Sequence, residues 1–483
     1  MLQTLKNAWN TKEIRGKILF TLFILLLYRV GTVIPVPFVE ANSFASTFSG
    51  TILDYMNTLS GGALGTATLF ALGVSPYINA SIIIQLLAVV FPKLGELAKN
   101  DKTKMNFITR IVTVVLAVVT ALGYYFLLGN GGALTNAATK GENPAYWIYG
   151  IVIVACYCAG ASIIMWLAER INEKGIGNGI SLILFANIIS SIPSFGYNLV
   201  TLVIDTYGYS VKPWLYGIIS TVFSIVLVAA VIALVVFIIY ITGSERRISV
   251  RYAKQIKGRK MYGGQSQNLP IKLNMTGVMP VIFASSIVSL VPTILALCGV
   301  TESSSGFWGG VARFLAADGW FYPVSLFLLI IFFTYFYTQI TFDPLEVSNR
   351  IKSQGGTIAG IRQGRPTSDF IKNVLNKVTL VGALFLGIIA VLPVIAGPHC
   401  IQHILRWIMN GSDLALEAAK YAATEGMSYY AMIIESQINS AVQSLTSTFT
   451  FGGTTLLIMV GVVLETFREL EAQLTMRNYK GFL

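Results

Sequence analysis

Gly73-Val74-Ser75-Pro76-Tyr77-Ile78-Asn79-Ala80-Ser81-Ile82-Ile83-Ile84-Gln85-Leu86 returns 204 positions later as Gly277-Val278-Met279-Pro280-Val281-Ile282-Phe283-Ala284-Ser285-Ser286-Ile287-Val288-Ser289-Leu290, with eight of fourteen positions identical. Apolar helices share Ile, Leu, Ala and Ser by composition alone, but a common Gly-Val-x-Pro is a stronger sign of duplication. Both stretches open long apolar runs, and a helix that crosses a bilayer needs roughly 20 such residues. Runs of that kind lie near 18–34, 76–91, 106–128, 146–167, 179–203, 215–241, 275–298, 321–341, 374–397 and 452–467. The repeated stretches open the second and the seventh of these ten, so each is second in a set of five. Five is odd, which turns the two sets in opposite directions through the membrane and places the functional path between them. The expectation is an all-α polytopic membrane protein of ten transmembrane helices in two inverted five-helix halves, 1–208 and 209–483.

Composition agrees with this reading. The 483 residues are 54% hydrophobic and 12% charged, about half the charged share of a soluble domain. Only helices and closed barrels satisfy their backbone within lipid, and the alternating segments of a barrel are absent from the pattern. Net charge is +12. Twenty-eight of the 34 Lys and Arg residues fall on one side of the predicted spans. Lys140, Lys212, Arg313, Arg406 and Lys420 fall on the other, and Arg29 lies inside the first span. The positive-inside rule makes the first side cytoplasmic, with both termini there. The first run ends in Pro35-Val36-Pro37 without a cleavage pattern, so it reads as a retained span.

The connecting segments differ in character. Between the first two spans, Thr51–Leu59 is a short helix-like piece, followed by the Gly-rich Ser60-Gly61-Gly62-Ala63-Leu64-Gly65. It is too short to cross. It is either a re-entrant half-helix, which requires burial in protein or a water-filled cavity, or a helix lying at the interface. A second outer segment, 398–450, has helix-like stretches at Ile401–Met409 and Leu414–Thr424 and no evident chemistry. Two long basic loops, Gly243–Lys272 and Asp343–Asn373, face the cytoplasm. Arg246, Arg247, Arg251, Lys254, Lys257, Arg259 and Lys260 cluster in the first of them. Such a cluster attracts anionic lipid, RNA phosphate or an acidic protein face, or serves only to set topology.

Catalysis finds little support. His399 and His403, the only histidines, have metal-compatible spacing but no carboxylate between them. Gly175-Ile176-Gly177-Asn178-Gly179 lacks the lysine of a phosphate loop and reads as a flexible turn. Cys156-x-Cys158 fits small apolar helix residues. No enzyme activity and no cofactor are expected. Ion-coupled transporters keep ionisable groups inside the bilayer, whereas these span interiors are nearly free of charge: Arg29 and Glu465 lie toward span ends, and the polar groups within, such as Asn79, Ser81, Gln85, Asn187, Asn274, Ser285, Ser286 and Gln339, suit interhelical hydrogen bonds. Val74 and Ile78 share a helix face, as do Val278 and Ile282. They either converge on a constriction that excludes water and ions or pack against lipid.

Several longer stretches resemble the SecY family. Leu69–Leu87 resembles its second-span signature, Met165–Ser181 its next signature, and Gly360-Ile361-Arg362 the tip of its loop between spans eight and nine. Phe451–Ile458 resembles its tenth span, and Tyr479-Lys480-Gly481-Phe482 its tail. The resemblance implies a protein-conducting channel of a bacterial cytoplasmic membrane that moves unfolded secretory chains across and releases membrane segments sideways. It implies a pore ring of Val74, Ile78, Leu184, Ile282 and Ile458, and a plug at 51–65 that includes Asp54, Tyr55, Met56, Asn57, Gly61 and Gly62. It implies a lateral gate with Gln85 and Asn274 as polar positions, and docking through the basic cluster and Arg362. The implied partners are SecE, SecG, the SecA motor, the ribosome and signal-bearing precursor polypeptides, with YidC, SecD/SecF and membrane lipids around them. An accessory channel for a restricted substrate set and an inverted-repeat solute transporter remain the alternatives. The chain departs from the family's common pattern at Gln363, where proline is usual, and in the length of 398–450.

Overall fold

The structure is a computed structural model that describes residues 2–40, 56–57, 59–130, 132–135, 146–208, 213–252, 255–257, 260–262, 266–297, 300, 306–315, 319–397, 404 and 452–480. Helices α1 (Leu2–Asn10) and α2 (Lys12–Gly31) come first. They are followed by α3 (Ser75–Val90), α4 (Pro92–Asn100), α5 (Lys102–Asn130), α6 (Tyr146–Lys174), α7 (Gly179–Gly208) and α8 (Pro213–Gly243). Strands β1 (Glu245–Tyr252), β2 (Gln255–Lys257), β3 (Lys260–Tyr262) and β4 (Ser266–Lys272) precede α9 (Met279–Leu297), α10 (Phe307–Phe314), α11 (Phe321–Thr341) and α12 (Pro344–Ser353). Strand β5 (Gly356–Ile358), α13 (Arg365–Ala396) and α14 (Gly452–Lys480) complete the order.

A helix stands at each of the ten expected spans: α2, α3, α5 to α9, α11, α13 and α14. By length and apolarity alone, six described helices qualify as spanning, or seven when α3 and α4 count as one span bent by 118°. The bend follows from Pro92, which offers no N–H and pushes Phe91 into an extended conformation. The other spans fall short for identifiable reasons. Lys12, Glu13, Arg15 and Lys17 charge the start of α2, and α9 is a short helix packed on α3, α5 and α14. The second half of α14 is rich in Glu and Arg. Ile218, Val222, Ile225, Val226, Ile232 and Val236 on α8 lie open on the outer surface of the bundle. Such a contiguous apolar face marks the membrane-facing side.

The duplicated stretches adopt the same local structure. Gly73 has φ +56° and Gly277 φ +66°, a left-handed conformation that glycine adopts without a Cβ clash. Proline follows near each helix start, where its missing N–H costs nothing. The Val74 carbonyl accepts from the amides of Tyr77 and Ile78, both at 3.1 Å. The Val278 carbonyl accepts from Val281 and Ile282 at the same distances. Val74 and Val278, Ile78 and Ile282, and Ala80 and Ala284 are buried pair by pair.

The first basic loop is not irregular. Strand β1 pairs antiparallel with β4 over Glu245↔Lys272 to Arg251↔Ser266 and with β5 over Val250↔Ile358 to Tyr252↔Gly356. The sheet order β4-β1-β5 joins the two basic loops into one unit. Ile248 and Val250 alternate inward and pack with Ile271, Ile351, Ile358, Ile371 and Leu375. The period-two pattern Arg247-Ile248-Ser249-Val250-Arg251 carried this signal.

The turn at 175–179 differs from the flexible one expected. Asn172 Oδ1 accepts from the Gly179 amide at 2.7 Å, and Thr21 Oγ1 accepts from the Ile176 amide at 3.1 Å. A Cβ on Gly179 would collide with the Ala168 carbonyl and its backbone carbon, so the turn is fixed by contact with α6. Gly179→Ala should therefore lower stability by about 1–3 kcal/mol, the usual cost of overpacking. Thermal unfolding of the detergent-purified protein reads the effect, and an unchanged midpoint would refute the packing argument.

Candidate functional site: a central constriction, an apolar groove and a basic sheet

Val74 precedes α3, Ile78 lies on it, Leu184 lies on α7, Ile282 on α9 and Ile458 on α14. These five residues line one cavity of about 20 Å³, together with Met56, Leu59, Ser285 and Ser289. That volume holds about one water molecule. All five side chains are buried, and their convergence from four separate segments of chain makes a constriction that favours dewetting. Lipid-facing packing, the alternative left open by the sequence, does not describe them.

Met56 and Asn57 are helical, and residues 60–74 form a run of turns. Asp54 and Tyr55 lie outside the described residues. The turns are buried in protein and satisfy one another. Asn57 Oδ1 accepts from the Gly65 amide at 2.7 Å. Ser60 Oγ donates to the Asn57 carbonyl at 2.9 Å and accepts from the Leu64 amide at 3.1 Å. The Tyr124 hydroxyl donates to the Leu64 carbonyl and that of Tyr157 to the Ala67 carbonyl. Non-helical backbone within lipid survives only when so paired, and the described part of the segment meets that requirement; most of Thr51–Leu59 lies outside the described residues. Gly61 and Gly62 have φ +70° and +88° and form the bend.

Helix α9 packs against both α3 and α5. Between these three helices runs an apolar groove of about 530 Å³, lined by Ile83, Leu116, Val119, Phe126, Leu290 and Ile294 among others. At the other end of α3, Tyr337 of α11 donates to Gln85 Oε1 at 2.6 Å, and Gln85 Nε2 donates to Ser81 Oγ at 2.9 Å. Gln85 thus ties α3 to α11. Nothing in the sequence singles out Tyr337, which stands among Phe332, Phe333 and Phe336. Asn274 is buried ahead of α9, with its Oδ1 unpartnered among the described residues, and takes no part in this chain of bonds. Cys156 and Cys158 are half-buried free thiols.

Arg246, Arg247 and Arg251 are exposed on β1, with Arg247 held by Glu245 at 2.7 Å. Lys257 and Lys260 pair across the β2–β3 hairpin, while Lys254 and Arg259 lie outside the described residues. Burial, reinforced by Arg468, pushes the Lys272 ammonium down, against an opposing pull from Glu245. Arg362 is exposed just beyond β5, on a loop with a fixed backbone. Thr367 Oγ1 donates to the Arg362 carbonyl at 2.8 Å, Gln363 Nε2 to the Gly356 carbonyl at 3.0 Å and Ser348 Oγ to the Gly364 carbonyl at 2.8 Å. Gln363, the residue that departs from the usual proline, thus anchors the loop by a hydrogen bond instead. His399, His403 and nearly all of the 398–450 segment lie outside the described residues, and no group of metal-ligating side chains occurs among the described ones.

A bundle of apolar helices pinched at its centre, with a re-entrant segment against the pinch, defines a gated membrane channel. The SecY family profile matches residues 68–412. The protein translocase subunit SecY of Mycobacterium tuberculosis (strain ATCC 25618 / H37Rv) is 38% identical over 500 residues, covering 100% of both chains. Two solved structures share the fold. One is of SecY, described as having a plug domain that stabilises the closed state of the translocation channel and maintains a membrane seal. It matches with a TM-score of 0.55 and 18% identity, over 95% of this chain and 92% of that one. The other, Sec61 in the canine ribosome–channel complex from the endoplasmic reticulum, matches with a TM-score of 0.53 and 16% identity, over 95% and 92%. The chain belongs to the SecY family, the subunits of protein translocation channels.

Proposed function

We propose that this chain is the pore subunit through which unfolded secretory proteins cross, and membrane segments enter, a bacterial cytoplasmic membrane. The observation that carries the reading is the convergence of Val74, Ile78, Leu184, Ile282 and Ile458 on a cavity of about 20 Å³. An apolar ring of that size holds ions back without a moving barrier, and the plug at 51–65 backs it. The groove between α3, α5 and α9 suits the apolar helix of a signal sequence, and Gln85 with Asn274 tunes how readily that gate parts. The halves 1–208 and 209–483 hinge around this path, and the repeated starts of α3 and α9 support that division. Both termini face the cytoplasm, on the side with the basic loops.

Energy comes from partners. The sheet that carries Arg246, Arg247 and Arg251, with Arg362 beside it, is a rigid basic platform for the SecA motor or the ribosome, and the ribosome-bound Sec61 relative supports the latter. SecE and SecG complete the channel. The test is reconstitution with SecE, SecG, SecA and ATP, scoring protease protection of a signal-bearing precursor inside vesicles. Protection that requires both ATP and this chain is expected. Its absence, with partners proven competent on another SecY, would refute the reading.

A further inference from the structure

Asn187 lies on α7 three residues beyond Leu184, on the same helix face, and is fully buried. Its amide nitrogen donates twice, to the Tyr28 hydroxyl on α2 at 2.8 Å and to the Leu59 carbonyl at 2.7 Å. Leu59 itself lines the central cavity. One side chain therefore joins the first span, the fifth span and the plug segment at Leu59. The neighbouring hinge is crowded by polar ends. A Cβ on Gly61 would lie 2.8 Å from Asn187 Oδ1 and 2.9 Å from Arg29 Nη1, so only glycine lets the hinge backbone sit there. Those two atoms are themselves buried and unpartnered among the described residues.

We propose that Asn187 is a positioning residue that latches the plug shut by holding the Leu59 carbonyl, with Tyr28 fixing its amide. The arrangement suits a stopper that must hold and also release. One hydrogen bond, to the Leu59 carbonyl, keeps the hinge in place, and the bond to Tyr28 fixes the amide that makes it. Among the described residues the Arg29 donor and the Asn187 acceptor have no partner, and buried polar groups left so tax the closed state. The latch therefore sets how often the resting channel opens, while the apolar ring sets how well it seals when shut. This rests on the reading of 51–65 as the plug.

Proteoliposomes holding the channel with its SecE and SecG subunits provide the test, read as resting ion conductance. Tyr28→Phe removes only the hydroxyl and should raise conductance about fivefold, the weight of one hydrogen bond. Asn187→Leu removes the bond to the plug segment and leaves the buried Leu59 carbonyl without it, and should raise conductance about twentyfold. The double variant should leak no more than Asn187→Leu alone, because both act through one contact, whereas unrelated structural damage would add. Deletion of residues 51–58 serves as the reference for the plug itself. A leaky deletion beside wild-type conductance in Asn187→Leu and Tyr28→Phe would overturn the latch and leave the plug. A deletion that does not leak would overturn both.

Discussion

Replacing Ile78 and Ile282 together with glycine should turn the resting channel into an ion leak, raising conductance by on the order of tenfold or more as the dewetted ring is lost. These residues occupy matching places in the two repeats, one at the start of α3 and one at the start of α9. Both line a cavity of only about 20 Å³. Removing their side chains takes away two of the five walls and admits a continuous file of water. Glycine also weakens each helix by about 1 kcal/mol, but both positions are in the first turn, where the Val74 and Val278 carbonyls already anchor them. Bilayer recordings on the variant check the prediction. A conductance equal to that of the parent would remove the ring from the mechanism and leave the plug as the seal.

Arg362→Glu should cut motor- or ribosome-driven translocation by about tenfold or more, since like charges set against each other at an interface cost several kcal/mol. The variant should still insert and fold normally. The physical argument lies in the loop: its backbone is pinned by Thr367, Gln363 and Ser348, while the guanidinium itself is exposed. Reversing the charge therefore alters what the loop presents and not how it is held. Precursor protection in vesicles, with the amount of correctly inserted variant measured alongside, separates the two effects. Full protection in Arg362→Glu would sink the docking role of this loop.

Much of this protein is legible from its sequence, and the legible parts share a cause. A bilayer demands long apolar helices with internally paired backbones, so the positions of the helices follow from apolar runs alone, even for α9 and α14, which fall short by length and composition. The shared Gly-Val-x-Pro fixed two identical helix starts, because a left-handed glycine and an N-terminal proline act through local backbone sterics. The resemblance in the quoted motifs then pointed to Val74, Ile78, Leu184, Ile282 and Ile458, which line one cavity though they come from distant parts of the chain that no spacing rule connects.

Only the tertiary structure decided the rest, for a consistent reason: each remaining feature depends on a partner far away in sequence. The sheet that fuses the two basic loops needs β5, more than 100 positions from β1. Tyr337 matters because Gln85 stands opposite it, and Asn187 because Tyr28 and Leu59 meet at its amide. The turn at Gly179 is rigid because the Ala168 carbonyl lies against it. Apolar periodicity and local backbone rules specify where helices lie in a membrane. Which polar group finds which partner is set by the packing of the bundle.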